Sequence, residues 1–452
     1  MSGKTVFLIS ANTETAPCPV YPVALARLAD AVSRAGHAAR LFDVLVHGRE
    51  ALPQALKDAR PDLVGLSLRN IDNTESGDTR TYVEEYGQLV AEVRRHTPAP
   101  IILGGSGFSL FPESLMARLG ADFGVVGAGE HALGALLDAL DGRGGVADIP
   151  NLLTAARPAW RPCPSSPPPA GSAHPPDLVR HYWRQAGTIG VQTKRGCPKS
   201  CSYCTYPLIE GRTVQWADPV QVADEIQRMA ADHGVRHVTL VDSLFNLCPE
   251  RELALAREMV RRAVPVTWGA FFAPSGLDRE YLGALRAGGL THVEFGTDSL
   301  SDPMLRAYAK DFSVDDVFRA SALCAELELY CAHYLTFGGP EETPATIGET
   351  VKNARRLPPC VFFPFAGVRI YPGTPLYATA RAASVVAAED DCLAPRFYFS
   401  EGLTGPRLWE LLGAEIDGAA RWMTPRRSHR LQPAMKRLRQ RGMKGPLWEL
   451  AL

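Results

Sequence analysis

Short apolar runs alternate with longer stretches of helical periodicity over residues 4–140. The runs at 6–10, 39–43, 63–68, 101–104 and 123–126 predict strands, and the stretches 20–35, 82–96, 112–119 and 131–140 predict helices between them. Nearly continuous apolar strands separated by amphipathic helices are the pattern of a parallel sheet covered on both faces. The first 150 residues therefore predict a five-stranded, doubly wound α/β domain. Ligands of such sheets gather beyond the carboxyl ends of the strands. Those ends carry residues 10–15, Ser67-Leu68-Arg69-Asn70, Gly104-Gly105-Ser106-Gly107 and Gly127-Ala128-Gly129-Glu130. No G-x-G-x-x-G follows the first run, which argues against a dinucleotide.

The pattern breaks over 157–176, where prolines crowd too closely for a helix or a central strand. This marks residues 151–182 as a linker. Alternation resumes with strands predicted at 187–193, 238–241, 266–272, 292–295, 330–337 and 361–369, a second α/β domain over 183–383. The remainder, 384–452, reads as helical, with Leu408, Leu411, Leu412, Ile416 and Trp422 on one face, and is expected to cap the mouth of the second domain.

A chain of 452 residues with 46% hydrophobic content fills two cores. Its net charge of −1 gives no field for a polyanion, so nucleic acid is not expected as a partner. The basic residues over 421–444 read as a solvated helix face. No stretch approaches the ~20 apolar residues of a membrane span, and the first residues lack the charged start and apolar core of a signal peptide. A cytoplasmic, reducing location is expected, with a monomer and no membrane. Cys18, Cys163, Cys324, Cys331, Cys360 and Cys392 then read as small buried hydrophobes.

Cys197, Cys201 and Cys204 stand apart, because their C-x₃-C-x₂-C spacing brings three thiols to one loop with no fourth cysteine beside them. A [4Fe–4S] cluster normally takes four cysteines, so three leave one iron open to a small molecule. The competing reading, a zinc knuckle, needs two ligand pairs, and neither Cys248 nor His233 completes one.

The cysteine loop with its flanking strand and helix closely resembles the radical S-adenosylmethionine (SAM) superfamily. That resemblance implies a partial (β/α)₆ barrel with active residues at the carboxyl ends of its strands, a [4Fe–4S] cluster on Cys197, Cys201 and Cys204, and SAM chelating the open iron. It further implies Tyr203 against the adenine, Asp242 and Ser243 on the SAM amino group or ribose, Glu294 and Ser299 on its ribose or methionine, and the Gly338-Gly339 turn near the adenine. Each of these could instead be a strand-end cap. An external reductant such as flavodoxin or ferredoxin is implied as well.

The first domain resembles the cobalamin-binding domains fused ahead of such barrels. The matches are Pro19 with Leu25, Ala26 and Leu28, then Arg34-Ala35-Gly36-His37, the Ser67-Leu68 turn, and Gly104-Gly105. On this resemblance the cofactor contacts are Ser67, Leu68, Arg69, Asn70, Gly104, Gly105, Ser106, Gly127 and Glu130. The alternative is a Rossmann-like domain with another ligand or none. The D-x-H-x-x-G motif that ligates cobalt in many relatives is missing, since no histidine precedes His37. Arg69 stands where the lower corrin face would lie, and a guanidinium has no lone pair to give. The run from Ser67 to Asp72 is similar to the cobalamin-dependent tryptophan 2-C-methyltransferases of thiopeptide biosynthesis, in which an arginine occupies that face. Tyr308 is similar to a tyrosine proposed there to take the indole proton. Structural readings stand beside both: a salt-bridged arginine and a packing tyrosine.

The chain is accordingly expected to be a cobalamin-dependent radical SAM methyltransferase, moving a methyl group from SAM via methylcobalamin to a carbon of a small natural-product substrate, with C2 of tryptophan one candidate. Two alternatives are a non-methylating enzyme with the same cofactors, catalysing cyclisation, ring contraction or anaerobic oxidation, and a cobalamin-binding regulator without turnover.

Overall fold

The computed structural model describes residues 3–154, 156, 166–169, 174–416 and 419–452. Most of the proline-rich run and Cys163 lie outside them. Five parallel strands, β1 (Thr5–Ser10), β2 (Ala38–Asp43), β3 (Leu63–Ser67), β4 (Ile101–Gly104) and β5 (Phe123–Val125), form the first sheet in the order 2-1-3-4-5. A sixth strand, β6 (Leu152–Thr154), adds antiparallel to β5. Alternation along β1 sends Val6 and Leu8 into one core with Leu25, Val32, Leu133 and Leu136, and Phe7 and Ile9 into another with Leu56, Val64, Val90 and Val93. The two helices on the first face are α1 (Val23–Arg34) and α2 (Glu130–Leu140). Helix α1 begins three residues later than the periodicity suggests because Tyr21 precedes Pro22, and a residue before proline disfavours helical backbone.

The stretch expected to link the domains carries β6 at one end and helix α3 (Pro176–Ala186) at the other. Pro176 sits in the first turn of α3, where its missing N–H costs nothing.

The second domain is a six-stranded, all-parallel partial barrel. Its strands are β7 (Ile189–Val191), β8 (His237–Leu240), β9 (Thr267–Phe272), β10 (Leu290–Asp298), β11 (Tyr330–Phe337) and β12 (Val361–Ala366), neighbours in chain order. The intervening helices are capped by their own sequence. Asp218 accepts from Val220 N and Gln221 N, Ser313 forms a capping box with Asp316, and Thr343 forms one with Thr346. Val238, Leu240, Trp268, Phe272, Val293, Phe295, Leu335 and Phe337 point outward under these helices.

The C-terminal segment runs through α4 (Gly405–Ile416), α5 (Pro425–Gln440) and a final turn, Trp448–Ala451. Between the two helices the chain pairs with the edge of β12: Phe362 N donates to Arg421 O and Met423 N to Phe362 O, each at 2.8 Å, and Trp422 stacks on Phe362. Beyond α5, Gly445 N donates to Gly187 O at 2.9 Å, just ahead of β7, and Trp448 packs on His292 near the start of β10. The last part of the tail therefore closes the amino-terminal floor of the barrel, while its first part lies at the expected carboxyl end, where Ser400 N donates to Gly338 O at 3.0 Å and Leu408 packs on Gly338. Its basic residues are partly structural: Arg439 is buried with Nη1 on Gly445 O at 3.0 Å, and Lys444 donates to Trp183 O at 3.1 Å.

Candidate active site between the two domains

Strand β7 delivers the cysteine loop, and a buried polar knot fixes its base. Asp242 accepts from Thr193 N at 2.8 Å, Thr193 Oγ1 at 2.6 Å, Lys194 N at 3.1 Å and Lys194 Nζ at 3.1 Å. Lys194 also donates to Phe245 O at 2.7 Å and lies over the rings of Trp216 and Phe245. Both side chains are fully buried. Asp242 thus spends its acceptors on the loop base and not on SAM. Ser243 does likewise, donating to Gly196 O at 3.1 Å. Gly196 has φ +94°, and a Cβ there would meet Thr213 O at 2.3 Å, so only glycine fits the turn.

The loop is pinned at its far end too: Ser202 N donates to Tyr308 O at 3.0 Å and Leu376 N to Ser202 O at 2.8 Å. Cys197, Cys201 and Cys204 are free thiols. Burial pushes Cys201 up and Cys204 to about 11; Cys201 also feels Cys197, and Cys204 feels both Cys201 and Cys197. Among the described residues no three His, Cys, Asp or Glu side chains converge on a single ion, which sets the loop apart from a mononuclear zinc site. Three mutually repelling thiols, beside a buried Ser202 hydroxyl without a partner, suit a larger cationic centre that takes thiolates.

Beside the loop, Tyr203 donates its hydroxyl to Asp298, which also pairs with Lys310. Lys310 donates to Gly296 O at 3.2 Å, and although burial alone would lower it, Asp298 and Cys201 hold it above the usual lysine range. Sequence reasoning gave no role to Asp298 or Lys310. Ser299 is turned away and buried, its hydroxyl 3.0 Å from Thr350 Oγ1, so it ties strand to helix instead of meeting SAM.

Tyr308 is fully buried and donates to Thr336 O at 2.9 Å; burial pushes its phenol well above 10. Its ring lies against the Gly338-Gly339 turn, where a Cβ on Gly339 would fall 2.2 Å from the phenolic oxygen. Glu342 braces the same turn by accepting from Gly338 N. A phenol in this position shapes the turn.

On the first domain, Gly105 (φ +99°) and Gly107 press onto the β3 turn. A Cβ on either would approach Leu68 O to 2.8 or 2.9 Å. Ser106 Oγ donates to Arg69 O at 2.9 Å, and Gly127 N to Ser109 Oγ at 2.9 Å. Leu68 itself is core. Glu130 is committed to Arg195 through contacts of 2.6 and 3.1 Å, so it joins the domains. At the end of β1, Asn12 Nδ2 is buried without a partner, and Asn151 Oδ1 is likewise unmet where its amide caps Val126 O and Ala128 O. Both residues lie at the carboxyl end of the sheet, Asn12 just beyond β1 and Asn151 just before the antiparallel β6.

Arg69 remains exposed, with Nη1 on Asn70 Oδ1 at 3.0 Å, yet burial draws its guanidinium below the usual range. Tyr206 shows the same contrast: 42% exposed, while burial pushes its phenol to about 12. Residues 206–209 of the barrel pack on residues 106–110 of the first domain, so both side chains lie at the junction of the two domains.

Two family profiles match the two domains, the B12 binding domain over residues 9–137 and the Radical SAM superfamily over 191–354. The tryptophan 2-C-methyltransferase of Streptomyces laurentii is 29% identical across 81% of this chain and 73% of that protein. The radical SAM methyltransferase TsrM from Kitasatospora setae, solved with cobalamin and a [4Fe–4S] cluster, superposes with a TM-score of 0.88 at 27% identity over 99% of this chain and 97% of that one. The chain belongs to the cobalamin-dependent radical SAM methylases. OxsB, at 15% identity and a TM-score of 0.76, shares the fold.

The methylase's own residues fit the three cofactors of that family. Cys197, Cys201 and Cys204 suit the cluster, the Gly338-Gly339 turn and Tyr203 suit SAM, and Arg69, Gly105, Gly107, Asn12 and Asn151 frame the sheet end for cobalamin. No described helix is long and apolar enough to cross a membrane.

Proposed function

We propose that this methylase transfers a methyl group to C2 of an indole, with tryptophan as the substrate to assay first. The observation that carries the proposal is Arg69, an exposed guanidinium two residues beyond the carboxyl end of β3, with no lone pair to offer a metal. The Streptomyces relative is named for this reaction, and the Kitasatospora structure was solved with tryptophan bound. When bound, cobalamin, SAM and the cluster supply the one-carbon and electron-transfer chemistry.

The chain's contribution is placement. The knot of Asp242, Lys194 and Thr193 fixes the cysteine loop, Tyr308 and Glu342 fix the turn on the SAM side, and Arg69 would offer bound cobalamin a cation with no lone pair. Tyr308 is a positioning residue on this reading. An external one-electron reductant, a monomer and a reducing compartment complete the proposal.

The test is anaerobic turnover of reconstituted enzyme with methyl-labelled SAM and tryptophan. Label in 2-methyltryptophan with little 5′-deoxyadenosine is expected, together with a cob(II)alamin EPR spectrum free of nitrogen superhyperfine splitting. Tyr308→Phe should keep methylation within a few-fold. Deoxyadenosine formed in step with product, or a three-line nitrogen pattern, would overturn the reading.

A further inference from the structure

We propose that Glu294 is the seat for an ammonium group of the substrate, at the bottom of an aromatic-walled chamber whose floor is the C-terminal turn. The inference deepens the methyl-transfer reading by naming the charge and shape of what enters the barrel.

Glu294 lies four residues before the Asp298 end of β10, about 13 Å below the rim at 3.3 Å per residue. That depth separates it from the SAM contacts expected of it. Parallel register puts Phe271 beside Glu294 and Phe363 beside Tyr334 on the barrel's inner surface. All four stay only half-buried, whereas their strand neighbours Trp268, Phe272, Val293, Phe295, Leu335 and Phe362 are buried under the outer helices. The inner face therefore borders open space.

The walls are stacked rings. Phe363 and Phe365 lie nearly parallel to Tyr334, at 4.9 Å and 6.2 Å between centroids, and Phe271 packs at 5.3 Å. From below, Trp448 Nε1 donates to Glu294 Oε1 at 3.1 Å, and Tyr334 donates its hydroxyl to Oε2 at 2.8 Å. Two neutral donors orient the carboxylate without balancing its charge. Among the described residues no lysine or arginine pairs with Glu294, in contrast to Asp72, Glu130, Asp242 and Asp298; the buried Asp43, Glu252 and Glu342 are also held by neutral donors, but they are committed largely to backbone N–H groups, which Glu294 is not. Burial pushes the Glu294 carboxyl up, as expected of a negative charge without a counterion. An ammonium supplies that counterion, and the surrounding ring faces favour a cation with a flat apolar body.

The experiment is calorimetric titration of the anaerobic, cluster-loaded full chain with tryptamine, L-tryptophan and indole-3-propionate. Tryptamine and tryptophan should bind, and the anionic propionate should bind more weakly. Glu294→Gln should weaken the two amines by about tenfold to hundredfold, the range of a charge-assisted hydrogen bond, and leave indole-3-propionate unchanged or tighter. Trp448→Phe and Tyr334→Phe, which keep the carboxylate, should show smaller losses with the same preference for amines. The inference is overturned if wild type does not favour the amines over the propionate, or if Glu294→Gln binds amines like wild type. It is equally overturned if Glu294→Gln, confirmed folded by circular dichroism, loses all three ligands equally. Amine binding without methylation would reject the tryptophan assignment alone.

Discussion

Replacing Asp242 by asparagine keeps the side chain's shape and removes the counter-charge of a fully buried ammonium. Lys194 would retain only Phe245 O and the faces of Trp216 and Phe245, at 4.7 and 4.8 Å. Breaking a buried ion pair from one side costs about 3–5 kcal/mol, because the remaining charge stays desolvated. For a domain of about 200 residues each kcal/mol moves the midpoint by about 2–4 °C, so Asp242→Asn should lower the barrel's calorimetric transition by on the order of 10 °C. Cys197 lies three residues beyond Lys194, and iron content after reconstitution should fall with stability. Removing both charges, Lys194→Met with Asp242→Asn, should recover most of the loss. The assay is scanning calorimetry under anaerobic conditions, with iron quantification and equilibrium dialysis of SAM on the folded fraction. A wild-type transition and wild-type iron together with lost SAM binding would show that Asp242 faces SAM and refute the reasoning.

Glu342 provides a pH test. Burial raises its carboxyl from 4.5 to about 7, so between those values the folded state holds a proton the unfolded chain has released. Stability should then fall as pH rises from about 4.5 to 7, by up to roughly 3 kcal/mol, and level off above. Glu342→Gln should flatten that slope in urea titrations; an unchanged slope would assign it to other groups. Gly339→Ala places a methyl 2.2 Å from the Tyr308 oxygen and 2.4 Å from its ring. It should destabilise by about 1–3 kcal/mol through overpacking and weaken SAM binding in dialysis, whereas Gly348→Ala, with open space around its Cβ position, should do neither.

Much of this arrangement was legible because parallel strands buried on both faces are written as uninterrupted apolar runs, and all five predicted strands of the first sheet and all six of the barrel are present. The cysteine loop could be read because its chemistry is local. Arg69 could be placed at a strand end because the apolar run before it stops at Leu68, and the structure ends β3 at Ser67. Strand β6 was hidden because three residues carry no period, and α3 because a proline pair reads as a breaker before it reads as a helix start. Glu294 was assigned to the rim because the strand was taken to end near 295, whereas β10 continues to Asp298. The pairing of Asp298 with Lys310 joins residues on either side of a helix, which no spacing rule brings together. Periodicity gave the tail a buried face but not the surface it meets, so the place of its last part at the floor emerged only from the pairings of Phe362 and Gly187.

The seam between the domains bears on how the molecule is loaded. Arg27 in α1 donates to Gln192 Oε1 at 3.0 Å and Gln192 O at 2.9 Å and lies 3.8 Å from Glu225, while Arg195 clasps Glu130. The phenol of Tyr21 meets His174, which reaches Glu225 at 2.9 Å. A hinge that swung the domains apart would strand Arg27 and Glu225, both fully buried, and each uncompensated charge costs several kcal/mol. Domain opening is therefore a rare excursion and not a working stroke. A macrocycle wider than the gaps between packed side chains is then best enclosed as the chain assembles around it. Uptake by the finished apoprotein should run at the pace of partial unfolding, and the supply of cofactor during synthesis would set how much active enzyme a cell obtains.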